Sequence, residues 1–245
     1  MTTALQTQEE LAQAKDVLAS LTHLQQLLPL KRRQQALPPP FRMVHREILR
    51  SLAETGKPPR QAEIAAMLGS KQSALNALAA LGANDLVILS TAVKTAEKTH
   101  QLIVPEDVEV VGAYPMTTEK TPHQVEIFGH PVNAMCAVDA LSLSLMFGAQ
   151  TQIASRCHVT GTPIRIRQNG KELKEASPSP EVRVGIRWQS ACSHAAHTLC
   201  TEMVFLKDAE TAATWRATDP DSIELFTLPE AIELGEAFFV PLLED

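Results

Sequence analysis

The 245 residues include 22 Lys and Arg against 28 Asp and Glu, a formal charge of −6, with 44% apolar and 20% charged residues. These are the values of an ordinary globular chain, long enough for one large core or two small ones. They argue against a nucleic-acid partner held by phosphate neutralisation, and no apolar run approaches the ~18 residues of a membrane span. Four cysteines, irregularly spaced, do not make a disulfide framework. Glu9, Glu10 and several glutamines interrupt any secretory apolar segment, so a cytoplasmic chain with reduced thiols is expected.

Over residues 1–30, Val17, Leu18, Leu21, Leu24 and Leu28 recur at helical spacing. Lys31, Arg32 and Arg33 sit near the end, where cations suit the helix dipole, and Pro38, Pro39 and Pro40 mark a boundary. Residues 1–38 thus read as a helical extension that packs on the next domain or serves as a dimerisation arm. Phe41, Val44, Ile48, Leu49 and Leu52 form the stripe of a second helix, broken by Pro58 and Pro59. A third covers 60–68 and ends at Gly69; Ser70 caps a fourth over 71–81. A strand begins within 86–89. Three helices followed by a β segment predict a winged-helix-like module over 39–106. Its last helix offers one cation, Lys71, and little that reaches a base edge, which argues for a packing platform and not a DNA reader.

From Val108 the texture changes. Strands are expected over 108–114, 123–128, 151–159, 163–167, 182–188 and 200–206, with a turn at Asn169-Gly170. An apolar helix runs from near Cys136 to Gly148, and another, with Pro229 near its start, covers 228–239. Residues 107–245 therefore read as an α+β domain, mostly antiparallel sheet with flanking helices.

Cys136 and Asp139 stand three residues apart at the start of that first apolar helix, which places thiol and carboxylate one turn apart on one face. An acid among Ala137, Val138, Ala140 and Leu141 is costly unless it works or is partnered. The structural alternatives are a backbone cap or an ion pair with Arg165, Arg167 or Arg183. Cys192, His194, His197 and Cys200 are zinc-type ligands within nine residues, but lack a C-x-x-C knuckle or glycine turn. A polar loop is expected there, with Cys200 starting a buried strand.

Three segments carry a resemblance: Asn133-Ala-Met-Cys-Ala-Val-Asp-Ala-Leu141, Ser155-Arg-Cys-His-Val-Thr-Gly-Thr-Pro-Ile164 and Leu199-Cys-Thr-Glu-Met-Val-Phe205. Together they resemble the alkylmercury (organomercurial) lyase family from about Pro39 to the C-terminus. The resemblance implies catalytic, mercury-binding thiols at Cys136 and Cys200, a proton-handling carboxylate and weak ligand at Asp139, and a structural cysteine at Cys157. It implies an organomercurial substrate, no organic cofactor, and release of Hg(II) to low-molecular-weight thiols or a mercuric reductase. Thr201 stands where family members often carry a further Cys, and residues 1–38 look additional. Mercury is a soft acceptor, and two thiolates push electron density onto its carbon until that carbon accepts a proton. The other readings are a winged-helix metal- or thiol-responsive regulator and a non-catalytic Hg(II)-binding relative. Two-thiolate ligation requires the sulfurs of Cys136 and Cys200 within roughly 5 Å, since metal–sulfur bonds run about 2.3 Å.

Overall fold

The computed structural model describes residues 17–96, 101–189 and 198–244. Residues 17–27 form helix α1, and α2 spans Leu30–Gln35. The single helix expected over 1–30 is therefore interrupted near its end, because Pro29 lacks the N–H that would continue it; residues 1–16 lie outside the described residues. The extension docks on the body. Val17, Leu24, Leu28 and Leu30 are buried, Ser20 Oγ donates to Glu224 Oε2 at 2.7 Å, and the His23 ring stacks on Trp188 at 4.5 Å. Gln34 Nε2 donates to the Leu242 carbonyl at 2.8 Å, tying α2 to the far end of the chain.

Three helices follow: α3 (Pro39–Thr55), α4 (Gln61–Leu68) and α5 (Lys71–Ala83). The stripe of α3 is buried at Val44, Ile48, Leu49 and Leu52. Gly69, at φ +82°, closes α4 in the left-handed region, and Ser70 Oγ caps α5 by accepting from the Ser73 N–H at 3.1 Å. Then come β1 (Ile88–Leu89) and the two-residue strands β2 (Lys94–Thr95) and β3 (Leu102–Ile103), which pair with each other. No described helix is long and apolar enough to cross a membrane.

The remaining elements are β4 (Val110–Ala113), β5 (Met116–Thr117), β6 (His123–Ile127), β7 (His130–Ala134), α6 (Ala137–Phe147), β8 (Gln150–Arg156), β9 (Pro163–Asn169) and β10 (Glu172–Ser177). After them come β11 (Arg183–Arg187), β12 (Met203–Leu206), α7 (Ala209–Arg216), β13 (Ile223–Thr227) and α8 (Leu228–Phe239). The fold is α+β. Its large sheet has the order β1-β4-β5-β7-β6-β8-β9-β10 and its small one β12-β11-β13, with every pairing antiparallel. By pairing with β4, β1, the strand after α5, joins the three-helix segment to the large sheet, and a single apolar core runs through both.

Strands β8 and β9 alternate buried and exposed residues, so Ile153, Ile164 and Ile166 face inward while Arg165 and Arg167 face out. Against that inner face lies α6, buried at every position from Ala137 to Ser144. On its other side α8 approaches closely at Gly235, where a Cβ would stand 3.2 Å from Ser142 Cβ and 3.3 Å from the Val138 carbonyl. An all-round apolar helix is stable only in such a sandwich.

Candidate active site

Residue Cys136 is the N-cap of α6, extended at φ −151°, and does not itself enter the helix. Its sulfur takes the role usually filled by a Ser or Asp oxygen and accepts the Asp139 N–H at 3.3 Å. Asp139 occupies the third helical position, in the first turn, where the helix dipole favours a carboxylate. Its backbone carbonyl accepts Ser142 Oγ at 2.8 Å, while its Oδ2 finds no hydrogen-bond partner among the described residues.

The second thiol arrives from the small sheet. Cys200 was expected to begin a strand; it lies instead in a 3-10 turn, Leu199–Glu202, immediately before β12. Such a turn presents its side chains every third residue and aims Cys200 inward, burying Leu199 beside it. One ligand atom each from Cys136, Asp139 and Cys200 lies within 4.8 Å of the other two, and the residues are 0%, 1% and 4% exposed. Sixty-four residues of chain separate the thiols, and the fold closes that gap.

Burial dominates the electrostatics. It pushes the Asp139 carboxyl up to about 7 against the opposing effect of its contacts with Cys136. Burial also drives the Cys136 thiol well above the usual range, helped by its contact with Cys200 and by the nearby Asp139 charge. For Cys200 the contact with Cys136 pulls downward, but burial and the charges of Asp139 and Asp85 leave its pKa raised. At neutral pH the trio thus holds protonated thiols beside a carboxyl that titrates, an arrangement able to move a proton from sulfur to oxygen and onward.

Of the structural alternatives for Asp139, the backbone cap is present, since its carboxyl is held by the Cys136 backbone N–H and thiol while Oδ2 is left over. No ion pair with Arg165, Arg167 or Arg183 is found among the described residues. Arg167 pairs outward with Glu175 at 2.9 Å, and Arg183 Nη1 donates to the Val182 carbonyl at 3.4 Å. Cys157 is 2% exposed in the turn after β8 and is not one of the trio. Burial raises its pKa, yet donors from the Thr160 side chain and the N–H groups of Thr160, Lys207 and Val159 outweigh this and leave it lowered. Cys192, His194 and His197 lie outside the described residues.

Two neighbours escaped sequence reasoning. Asp85, at φ +53° after α5, lies near enough for its charge to act on Cys200, and it accepts from Tyr114 Oη at 3.3 Å. Met203 touches Cys136 sulfur to sulfur at 3.6 Å. An acid in a polar loop and a methionine in an apolar strand carry no pattern that singles them out.

Residues 116–240 match the family model MerB, alkylmercury lyase, a span that holds all three cluster residues and more than half the chain. The chain belongs to the alkylmercury lyase family. It is 29% identical over 130 residues to the alkylmercury lyase of Pseudomonas putida, covering 53% of this chain and 60% of that one. With the enzyme of Staphylococcus epidermidis it shares 31% over 130 residues, 53% of this chain and 59% of the relative. The Bacillus cereus alkylmercury lyase is 29% identical over 142 residues, 58% of this chain and 64% of the relative. The chain thus spans under two thirds of the length of each of these relatives. In fold it is similar to the mercury-bound form of MerB2, with a TM-score of 0.67, 22% identity, and coverage of 88% of this chain and 98% of the other.

Proposed function

We propose that this chain is an organomercurial lyase that cleaves the carbon–mercury bond of R–Hg–X by protonolysis. The observation that carries the reading is the buried convergence of two thiols and one carboxylate within 4.8 Å. The overall change is R–Hg–X plus two thiols giving R–H, a Cys136–S–Hg–S–Cys200 product and H–X. One thiol displaces X, and its proton leaves as H–X. The other passes its proton to Asp139 as its sulfur binds, and the two sulfurs make the carbon basic. Asp139 then delivers that proton to carbon while the electron pair of the carbon–mercury bond becomes the C–H bond. A carboxyl whose pKa lies about 7 can accept and donate near neutrality, and the partnerless Oδ2 leaves an oxygen free for the transfer. Asp139 also acts as a weak oxygen ligand of the product.

The reaction needs no resident cofactor. Low-molecular-weight thiols, or a mercuric reductase, would carry the product away, in a reducing cytoplasm that keeps the site sulfurs as thiols. Cys157 is assigned a structural part, its sulfur gathering the donors of the 157–162 turn. Helices α3 to α5 with the β2–β3 hairpin serve as a winged-helix-like platform over 39–106. Lys71 is engaged with Glu106 at 2.6 Å, which supports packing over phosphate binding. The test is benzene release from phenylmercury with excess thiol: Cys136→Ser must abolish turnover, and unchanged turnover ends the proposal.

A further inference from the structure

A third sulfur borders the trio. Met203 opens β12 directly after the turn that carries Cys200, and its N–H donates to the Cys200 carbonyl. Pairing with Ile186 of β11 fixes its backbone, and at 3% exposure its side chain is held in the core. Its thioether accepts from Cys136 Sγ at 3.6 Å. Leucine would fill this strand position with similar volume, so packing does not demand methionine. What methionine adds is a soft, neutral lone pair touching one thiol and covalently adjoining the turn of the other.

We propose that Met203 is a third soft ligand of this site, adding a thioether to the two thiolates around the mercury(II) product. The inference rests on the thiolate-site reading above and deepens it. Two thiolates already neutralise a divalent ion. A third thiolate would leave the site anionic and the product harder to remove. A thioether has no proton to lose and no charge to add, so it strengthens retention modestly and competes with incoming thiols only weakly. Methionine plays this long, weak role in other soft-metal sites.

The experiment loads the full chain with one equivalent of inorganic Hg(II) in thiol-free buffer and reads the sulfur shell by X-ray absorption at the mercury edge. Two short sulfurs and one longer one are expected in the unmodified chain, and Met203→Leu should lose the longer one alone. Transfer of Hg(II) to added glutathione should then run about tenfold faster from Met203→Leu, the scale seen when a supporting group is removed from a metal site. A purely structural Met203 would leave the shell unchanged. A two-sulfur shell in the unmodified chain overturns the proposal even if Met203→Leu fails to fold, and so does a third sulfur that survives the substitution. Benzene release judges the parent reading separately. A chain that releases benzene with a two-sulfur shell refutes only the role of Met203, and one that releases none refutes the lyase.

Discussion

Replacing Asp139 with Asn should cost activity and raise stability, by an amount set by pH. The carboxyl is 1% exposed, with one oxygen lacking a partner among the described residues, and burial lifts its pKa from 3.8 to about 7. A folded-state pKa above the unfolded one favours the protonated form of the native protein. The associated stability is fully present below the unfolded value of 3.8 and is lost as pH rises through 7. A difference of about three units, at about 1.36 kcal/mol each, puts the burden of the charged group at about 4 kcal/mol at pH 8 and less than half of that at pH 5. Asn carries no titrating proton, so Asp139→Asn should gain most at pH 8 and progressively less toward pH 5. Urea unfolding of both chains across that range measures the difference directly. Hydrocarbon release should meanwhile fall by about 10²- to 10⁴-fold, the usual contribution of a positioned acid. A stability difference that does not vary with pH would refute the buried-charge argument, and with it the basis for placing the proton on this carboxyl.

The proposed mechanism puts both thiols on one mercury, so Cys136→Ser, Cys200→Ser and the double variant should show the same residual benzene release, within error, and not multiplied losses. A double variant far below both singles would mean the sulfurs work independently. Gly185→Ala should lower the melting temperature through overpacking of about 1–3 kcal/mol, because its Cβ would stand 2.3 Å from the Trp215 ring. Deleting residues 1–38 should destabilise the body by uncovering the surfaces that now bury Leu24, Leu28 and Leu30, and should red-shift Trp188 emission as the His23 stack is lost. An unchanged melting curve and spectrum would show that the extension does not dock.

The first half of the site was visible in the primary structure because Asp139 interrupts an apolar run and Cys136 precedes it by one turn. Burial of α6 on all sides follows from its composition, whereas the cap geometry of Cys136 does not, since thiols are uncommon N-caps. No periodicity links Cys200 to Cys136. Only the short motif Leu199-Cys-Thr-Glu-Met suggested the pairing, and two sheets had to be assembled to complete it. β10 went unpredicted because Glu172–Ser177 is an edge strand with no fully buried residue and no alternation. Short α7 and β13 were also missed. Asp208, which caps α7 by accepting the Thr211 N–H at 2.8 Å, reads equally well as a loop residue.

The two thiols sit beside different sheets, Cys136 between β7 and α6 and Cys200 in the turn before β12, and this has a mechanical consequence. An ion gripped by both sulfurs fastens the turn before β12 to the first turn of α6, and so staples the three-stranded sheet to the eight-stranded one. Such a clasp exists only in the finished fold, so occupancy should shift the unfolding equilibrium by mass action, and the loaded chain should resist heat better than the empty one.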